Sequence, residues 1–169
     1  MVYRVGVQHI SAFLQEVDIF RGLSDRHIQR IAAVSKEARF SAGDYLGIQN
    51  EMGSELYVIR RGRVTVTTGG DDAKIVVRTV SERETVPVAV LFEPPLMVTT
   101  ARAATDGDAI VMPRVGLMEL FDIEPAIGVH IYKAACGVVS SRYRYALNRL
   151  ADSIGAPVQL DPRWRGAEV

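Results

Sequence analysis

Residues 40–66, FSAGDYLGIQNEMGSELYVIRRGRVTV, decide the fold. Within them, short runs rich in β-formers (residues 45–48, 56–59 and 64–68) alternate with turn signals at Ala42-Gly43-Asp44, residues 49–54 and Arg61-Gly62. Strands this short, punctuated by glycine and acid at such close spacing, read as consecutive strands of a small barrel or jelly roll.

Working outward, the same punctuation continues. Residues 74–80, 86–92, 97–104 and 109–112 are strand-like, separated by Thr68-Gly69-Gly70-Asp71-Asp72, Pro94-Pro95 and Asp106-Gly107-Asp108. The flanks are helical. Residues 5–19 place Ile10, Phe13, Leu14 and Val17 at helical spacing. Ser24 stands where it can cap a second helix over residues 25–36, whose inward face carries Ile28, Ile31 and Ala32. On the C-terminal side, Pro113-Arg114 opens a short helix over residues 115–121, and Glu124-Pro125 opens a long one running to Ser153. At 1.5 Å per residue that helix spans roughly 40 Å.

The 169 residues are one domain's length and can bury a core without disulfides or metal. Lysines and arginines number 20 against 20 acids, so no global field draws the chain to nucleic acid. A lone cysteine, Cys136, cannot close an internal disulfide, which points to a reducing cytoplasm. No segment has the roughly 20 apolar residues of a membrane span, and residues 1–13 lack a secretory leader's apolar run.

The residues of the opening stretch resemble the cyclic-nucleotide-binding domain family of catabolite-activator-type regulators, cyclic-nucleotide-dependent kinases and gated channels. The matching residues are Phe40, Gly43, Asp44, Leu56, Tyr57, Ile59, Gly62, Val64 and Val66, preceded by Phe20, Gly22, Leu23 and Ser24 at the entry to the roll. Met112-Pro113-Arg114 matches the turn that closes it. The resemblance covers about residues 17–150. It implies an α+β, mainly β fold: an eight-stranded jelly roll or double-stranded β-helix barrel with N-terminal helices and a long C-terminal helix. Residues 1–36 are then the N-terminal helices, 37–113 the roll, 114–153 a hinge helix and a long dimerisation helix, and 154–169 a tail.

The resemblance also implies where a ligand should sit. The family's phosphate cassette reads Gly-x-x-Phe-Gly-Glu-apolar, followed some eight residues later by Arg-x-Ala. Its glycines open backbone N–H groups to the phosphate, its arginine neutralises the oxygens, and its glutamate takes the ribose hydroxyl. Here Val86, Pro87, Val88 and Ala89 fall at Phe-Gly-Glu-apolar, and Met97 falls at the arginine. Pro87 has no N–H to donate, Val88 has no acceptor and Met97 has no charge. Each missing charged hydrogen bond is worth about 1.5–3 kcal/mol. Losing roughly 4–6 kcal/mol from a micromolar ligand's −8 leaves affinity at or beyond millimolar. A shifted register would enlist Glu84 or Glu93 as the carboxylate and Arg78, Arg83 or Arg102 as the cation, but Arg102-Ala103 anchors the register through the family's Arg-Ala pair. With Thr99 or Thr100 as a polar handle, Val86, Val88, Leu91 and Met97 either fill the roll or line a pocket for an apolar small molecule.

In the family's transcription regulators the long helix forms a dimer seam. Ile127, Ile131, Ala134, Val138 and Leu150 are the corresponding candidates here; the other reading packs the helix along its own roll. Gly137 implies close packing or a kink, and Arg142, Arg144 and Arg149 read as a solvated face. Residues 155–169 cannot hold a helix-turn-helix, so direct DNA binding is not expected, and Trp164 is expected to dock the tail. His9, His27 and His130 lie far apart, with no ligand spacing to Cys136, and no nucleophile has a base beside it. Asp71-Asp72 and Asp106 with Asp108 read as turn residues. No cofactor, metal or catalytic role is expected. The expected function is a cytoplasmic, homodimeric regulatory module that acts on an unidentified protein partner, away from DNA and membrane; the alternative is a sensor of an atypical nucleotide or apolar ligand.

Overall fold

The computed structural model describes residues 3–70 and 74–155. Helix α1 (Tyr3–Leu14) is followed by a 3-10 turn (Asp18–Phe20) and α2 (Asp25–Ala33). The strands are β1 (Lys36–Phe40), β2 (Tyr45–Gly47), β3 (Glu55–Arg61), β4 (Val64–Thr68), β5 (Ile75–Val80), β6 (Thr85–Val86), β7 (Thr100–Ala103) and β8 (Gly107–Pro113). Helices α3 (Arg114–Ile123) and α4 (Pro125–Ser153) complete the order. Strands set the architecture, although the helices hold more residues.

The eight strands form two antiparallel four-stranded sheets, ordered β1-β8-β3-β6 and β2-β7-β4-β5, so the roll is an open sandwich rather than a closed barrel. β3 and β8 pair along their length from Glu55↔Pro113 to Arg61↔Asp108, and their inward residues form the centre of the first sheet. Between the sheets, Phe40, Leu46, Ile59, Val64, Val66, Val80, Ala101 and Val111 make one core. A second core joins the roll's outer side to the helices, with Leu14, Phe20, Ile28, Ile31, Leu56, Leu117 and Ile127 fully buried. Such burial, at about 25 cal/mol per Å² of apolar surface, is what holds helices of unremarkable propensity in place.

Several sequence expectations shift for local reasons. The Ser24 hydroxyl accepts the His27 N–H at 3.3 Å, capping α2 as expected. That helix ends at Ala33, and Lys36 starts β1, a strand that sequence reading missed because KEARF shows solvent mostly charge. Residues 86–92 are not a strand. Pro87 lacks the ladder N–H, so β6 stops after Val86 and a 3-10 turn (Val88–Leu91) follows. The hairpin joining β4 to β5 is present as pairing from Val64↔Val80 to Thr68↔Ile75; its Asp71-Asp72 tip lies outside the described residues, as does Trp164. Gly137 does not pack closely: a Cβ there meets nothing within 4 Å, and α4 runs through it from Pro125 to Ser153.

Candidate functional site

The stretch aligned with the phosphate cassette lies where the two cores meet. Val86 joins the inter-sheet core, while Val88, Val90, Leu91 and Met97 join the helix-side core. Ala89 and Thr99 are half-buried. The 3-10 turn has no side-chain cap, and the ring of Pro87 at its start occupies the place of an N–H donor.

What fills the site is set by a short ladder. The Met97 N–H donates to Glu51 O at 2.9 Å, Asn50 N–H donates to Met97 O at 2.8 Å, and Gly53 N–H donates to Pro95 O at 2.8 Å. Met52 and Leu96 form a bridge between these segments. In an extended pair, side chains alternate between faces. Met97 therefore points inward, only 2% exposed, while Leu96 and Val98 point out with Met52. Gly53 is what makes room: a Cβ there would stand 1.7 Å from Met97 Cε and 2.8 Å from Val90 Cγ2. At Gly47 a Cβ would lie 3.3 Å from Pro87 Cγ and 3.5 Å from Met97 Sδ. A thioether thus fills the space framed by Gly47, Gly53, Pro87 and Val90. Sequence reading identified Met97 and missed the two glycines, whose signal was only their place in a turn-rich segment.

The groups that a shifted register would need are engaged elsewhere. Arg102 Nε donates to Gly43 O at 2.9 Å, and its guanidinium lies 5.3 Å from the centre of the Tyr45 ring. Arg83 pairs with Glu16 at 2.7 Å. Glu93 pairs with Arg114, whose Nε also donates to Val90 O at 3.1 Å and so clamps the end of the 3-10 turn onto the start of α3. Arg78 pairs with Glu84 at 2.9 Å. The Thr100 hydroxyl accepts the Gln49 N–H at 3.0 Å, which assigns that handle to the backbone.

Two open clefts lie outside the cassette. One of about 270 Å³ is lined by Glu37, Arg39, Arg60, Arg61 and Asp108. There the buried Asp108 faces Arg60 Nε at 3.0 Å and Arg61 Nε at 2.6 Å; its Oδ1 lacks the alignment of a hydrogen bond. The other, of about 290 Å³, includes Lys36, Glu55 and Tyr57. Partial burial alone would raise the Glu55 carboxyl, but the Lys36 ammonium and the Tyr57 hydroxyl outweigh it and hold it below its ordinary value. Burial, reinforced by that carboxylate, pushes the Tyr57 phenol up. Both clusters are ion-paired within themselves.

The long helix divides its faces unlike the expected seam. Ile127 and Ile131 are sealed in the chain's own core, with Ala134 and Val138 half-buried against it, so only Leu150 of the expected five is exposed. Arg142, read from sequence as part of a solvated face, is half-buried. Glu124, at the joint between α3 and α4, receives Arg30 Nε at 2.8 Å, which ties that joint to α2.

A two-sheet roll entered through a capped helix, with a 3-10 turn between β6 and β7 and a hinge into a long helix, is the arrangement to which comparison gives a family. The pattern of the cyclic nucleotide-binding domain matches residues 37–124, more than half of the chain. The chain belongs to the cyclic nucleotide-binding domain family. Domains of this family are regulatory modules. Among sequence relatives, the human cyclic nucleotide-gated channel beta-3 is 30% identical over 66 residues, covering 39% of this chain and 8% of the channel. An isozyme 2 cGMP-dependent protein kinase of Drosophila melanogaster is 33% identical over 64 residues, 38% of this chain and 7% of the kinase. The chain thus spans less than a tenth of these relatives. A cyclic nucleotide-binding domain from Methylobacillus flagellatus superposes with a TM-score of 0.73 at 14% identity, covering 90% of this chain and 85% of that one. The regulatory subunit of a cAMP-independent protein kinase A from Trypanosoma cruzi, bound to guanosine, gives 0.70 at 21% identity, covering 95% of this chain and 54% of that one. These two likenesses concern the fold. Among the described residues no helix is long and apolar enough to cross a membrane, and no three His, Cys, Asp or Glu side chains group as a metal site.

Proposed function

We propose that this chain is a cytoplasmic, homodimeric regulatory domain of the family that does not hold cyclic AMP or cyclic GMP in the usual cassette and acts by binding a partner protein, not DNA. One observation carries the reading. Where the family places its phosphate-binding arginine, this chain places Met97, 2% exposed and packed against Val90 and Gly53. An anionic ligand entering there would lose its water and gain no charge in return, at a penalty of several kcal/mol. The outward side of the same laced segments supports a protein partner, since Ile48, Met52, Leu96 and Val98 are all exposed apolar side chains.

The test is a thermal melt with cyclic AMP and cyclic GMP. A ligand present at one hundred times its Kd stabilises the native state by about 2.7 kcal/mol, a rise of several degrees. The expected result is no shift from either nucleotide at 1 mM (roughly 100 times a 10 µM Kd). A rise at micromolar dose overturns the reading. Guanosine belongs in the same titration because a fold neighbour is bound to it; a rise with guanosine alone turns the reading toward a nucleoside sensor.

The dimer rests on a different stripe from the one expected. Cys136, Ser140, Tyr143, Leu147, Leu150 and Ile154 recur at alternating spacings of four and three, as the a and d positions of a heptad do, and all are exposed. Tyr143 is 64% and Leu150 58% exposed. Two copies related by a two-fold axis along this stripe would bring Cys136 beside its counterpart. The expected outcome is a dimer by light scattering at 100 µM, with a short bismaleimide linking the two Cys136 thiols, and a monomer on Leu150→Glu. A wild-type monomer at that concentration defeats the dimer.

A further inference from the structure

The open edge of the first sheet runs between the two clefts. β1 bonds to β8 along one side, from Lys36↔Val111 to Phe40↔Gly107, and no strand lies on its other side. Among the described residues no further backbone hydrogen bond involves residues 36–40. Of the four edge strands, only β1 contributes to both clefts, and its middle residue, Ala38, lines each of them. Successive side chains of a strand alternate between faces. Ala38 and Phe40 therefore turn toward the inner cleft of about 290 Å³, with Lys36 at its mouth, and Glu37 and Arg39 toward the outer one of about 270 Å³.

The outer cleft has cations to spare. Glu37 is engaged by Arg60, and Asp108 by Arg60 and Arg61. Among the described residues Arg39 has no carboxylate within ion-pair distance, and Arg61 donates to Asp108 through Nε, leaving its terminal nitrogens without a hydrogen bond. Three guanidiniums thus face two carboxylates. The inner cleft offers apolar surface instead. Its floor is Phe40, Leu46 and Val111, all buried, and the exposed Tyr45 ring stands beside it. The acids there are already matched: Glu55 accepts from Lys36 Nζ at 2.8 Å and from the Tyr57 hydroxyl at 2.7 Å, and Asp44 from Ser41 N at 2.8 Å. An apolar side chain can settle on that floor without stranding a carboxylate.

We infer that β1 is a docking edge for an extended segment of the partner protein, one that alternates acidic with apolar residues. The added strand would bond to the open backbone side of β1, turning its acids to Arg39 and Arg61 and its apolar side chains to Phe40, Leu46 and Val111. Charged residues ordinarily guard an edge strand against pairing. Here the surplus positive charge makes that guard selective, opposing a basic strand and favouring an acidic one. The inference rests on the partner-binding reading above and specifies that partner's chemistry; the cassette plays no part in it.

The experiment titrates the full chain, labelled with nitrogen-15, with a capped eight-residue peptide alternating glutamate with leucine and valine, read by amide NMR and hydrogen exchange. Saturable shifts at β1 and the residues lining the two clefts are expected, with slower exchange of the β1 amides that face away from β8. Lysines in place of the peptide's glutamates, or Arg39→Glu in the protein, should each weaken binding at least tenfold. Combining the two should restore it in part, while Arg21→Glu changes nothing. N-methylating one alternate set of peptide amides should abolish binding and the other set should be tolerated, as pairing along a single edge requires. No saturable shift, equal affinity for the lysine peptide, or equal tolerance of both N-methylated peptides overturns the inference. So does a free chain whose outward β1 amides are already protected, because another segment or a second copy then holds the edge. A melt of the same sample with cyclic AMP keeps the two readings apart: a flat melt with no peptide binding rejects this edge alone, whereas a rise rejects the reading of the cassette.

Discussion

Gly107→Ala is expected to remove about 3 kcal/mol of stability, lowering the melting point by about 10 °C. Gly107 starts β8 opposite Phe40 of β1. A Cβ there would stand 2.1 Å from the Arg61 carbonyl oxygen and 2.5 Å from Phe40 Cζ. The clash with Phe40 could be eased by turning a ring, but the carbonyl belongs to the backbone of β3, which is paired to β8 over its whole length. Relief therefore requires two strands of the central sheet to separate at their end. Overpacking of this kind exceeds an ordinary surface change several-fold. Gly137→Ala serves as the control: in open space on α4 it should stabilise by up to about 1 kcal/mol. A denaturant melt in which Gly107→Ala stays within 1 kcal/mol of wild type would mean that β1, β3 and β8 do not converge at this corner.

The second large effect concerns the cassette itself. On the register proposed above, Met97→Arg would restore the family's arginine, yet it should destabilise the protein by roughly 3–5 kcal/mol, because it buries a cation with no partner. Met97 is enclosed by Gly53, Gly47 and Val90, and position 88, where the proposed register puts the family's acid, is a valine. Met97→Leu keeps volume and polarity and should lose less than about 1.5 kcal/mol. Urea melts of both variants measure the difference. Adding cyclic AMP at millimolar concentration to Met97→Arg distinguishes an emptied site from a hidden one. No recovery is expected, since Pro87 still withholds an N–H and Val88 still lacks an acceptor. Recovery of several degrees would show that one residue had masked a working cradle.

Much of the fold was legible in the chain. Turn residues at Gly43, Gly62 and Gly107, with β-branched runs between them, specify short strands locally, and Ser24 and Pro125 mark helix starts by the chemistry of the first turn. What escaped was of two kinds. β1 was missed because Lys36, Glu37 and Arg39 face solvent and only Ala38 and Phe40 turn inward, too short an apolar alternation to signal a strand. The helical character of residues 88–91 was missed because four apolar residues in a row fit either state, and Pro87 decided between them.

The seam of α4 shows the limit most plainly. Ile127, Ile131, Ala134 and Val138 are the most regular apolar stripe in the helix, and periodicity alone cannot say whether such a stripe meets its own roll or a second copy. The sequence by itself determined most of the element order, the family's roll and the lack of cations and side-chain donors at residues 86–97, because those depend on residue type and spacing along the chain. Only the tertiary structure decided that Met97 fills the place between Gly47 and Gly53, and which face of α4 is left exposed. These are meetings between segments far apart in sequence, fixed by which surfaces bury together rather than by any residue's own preference.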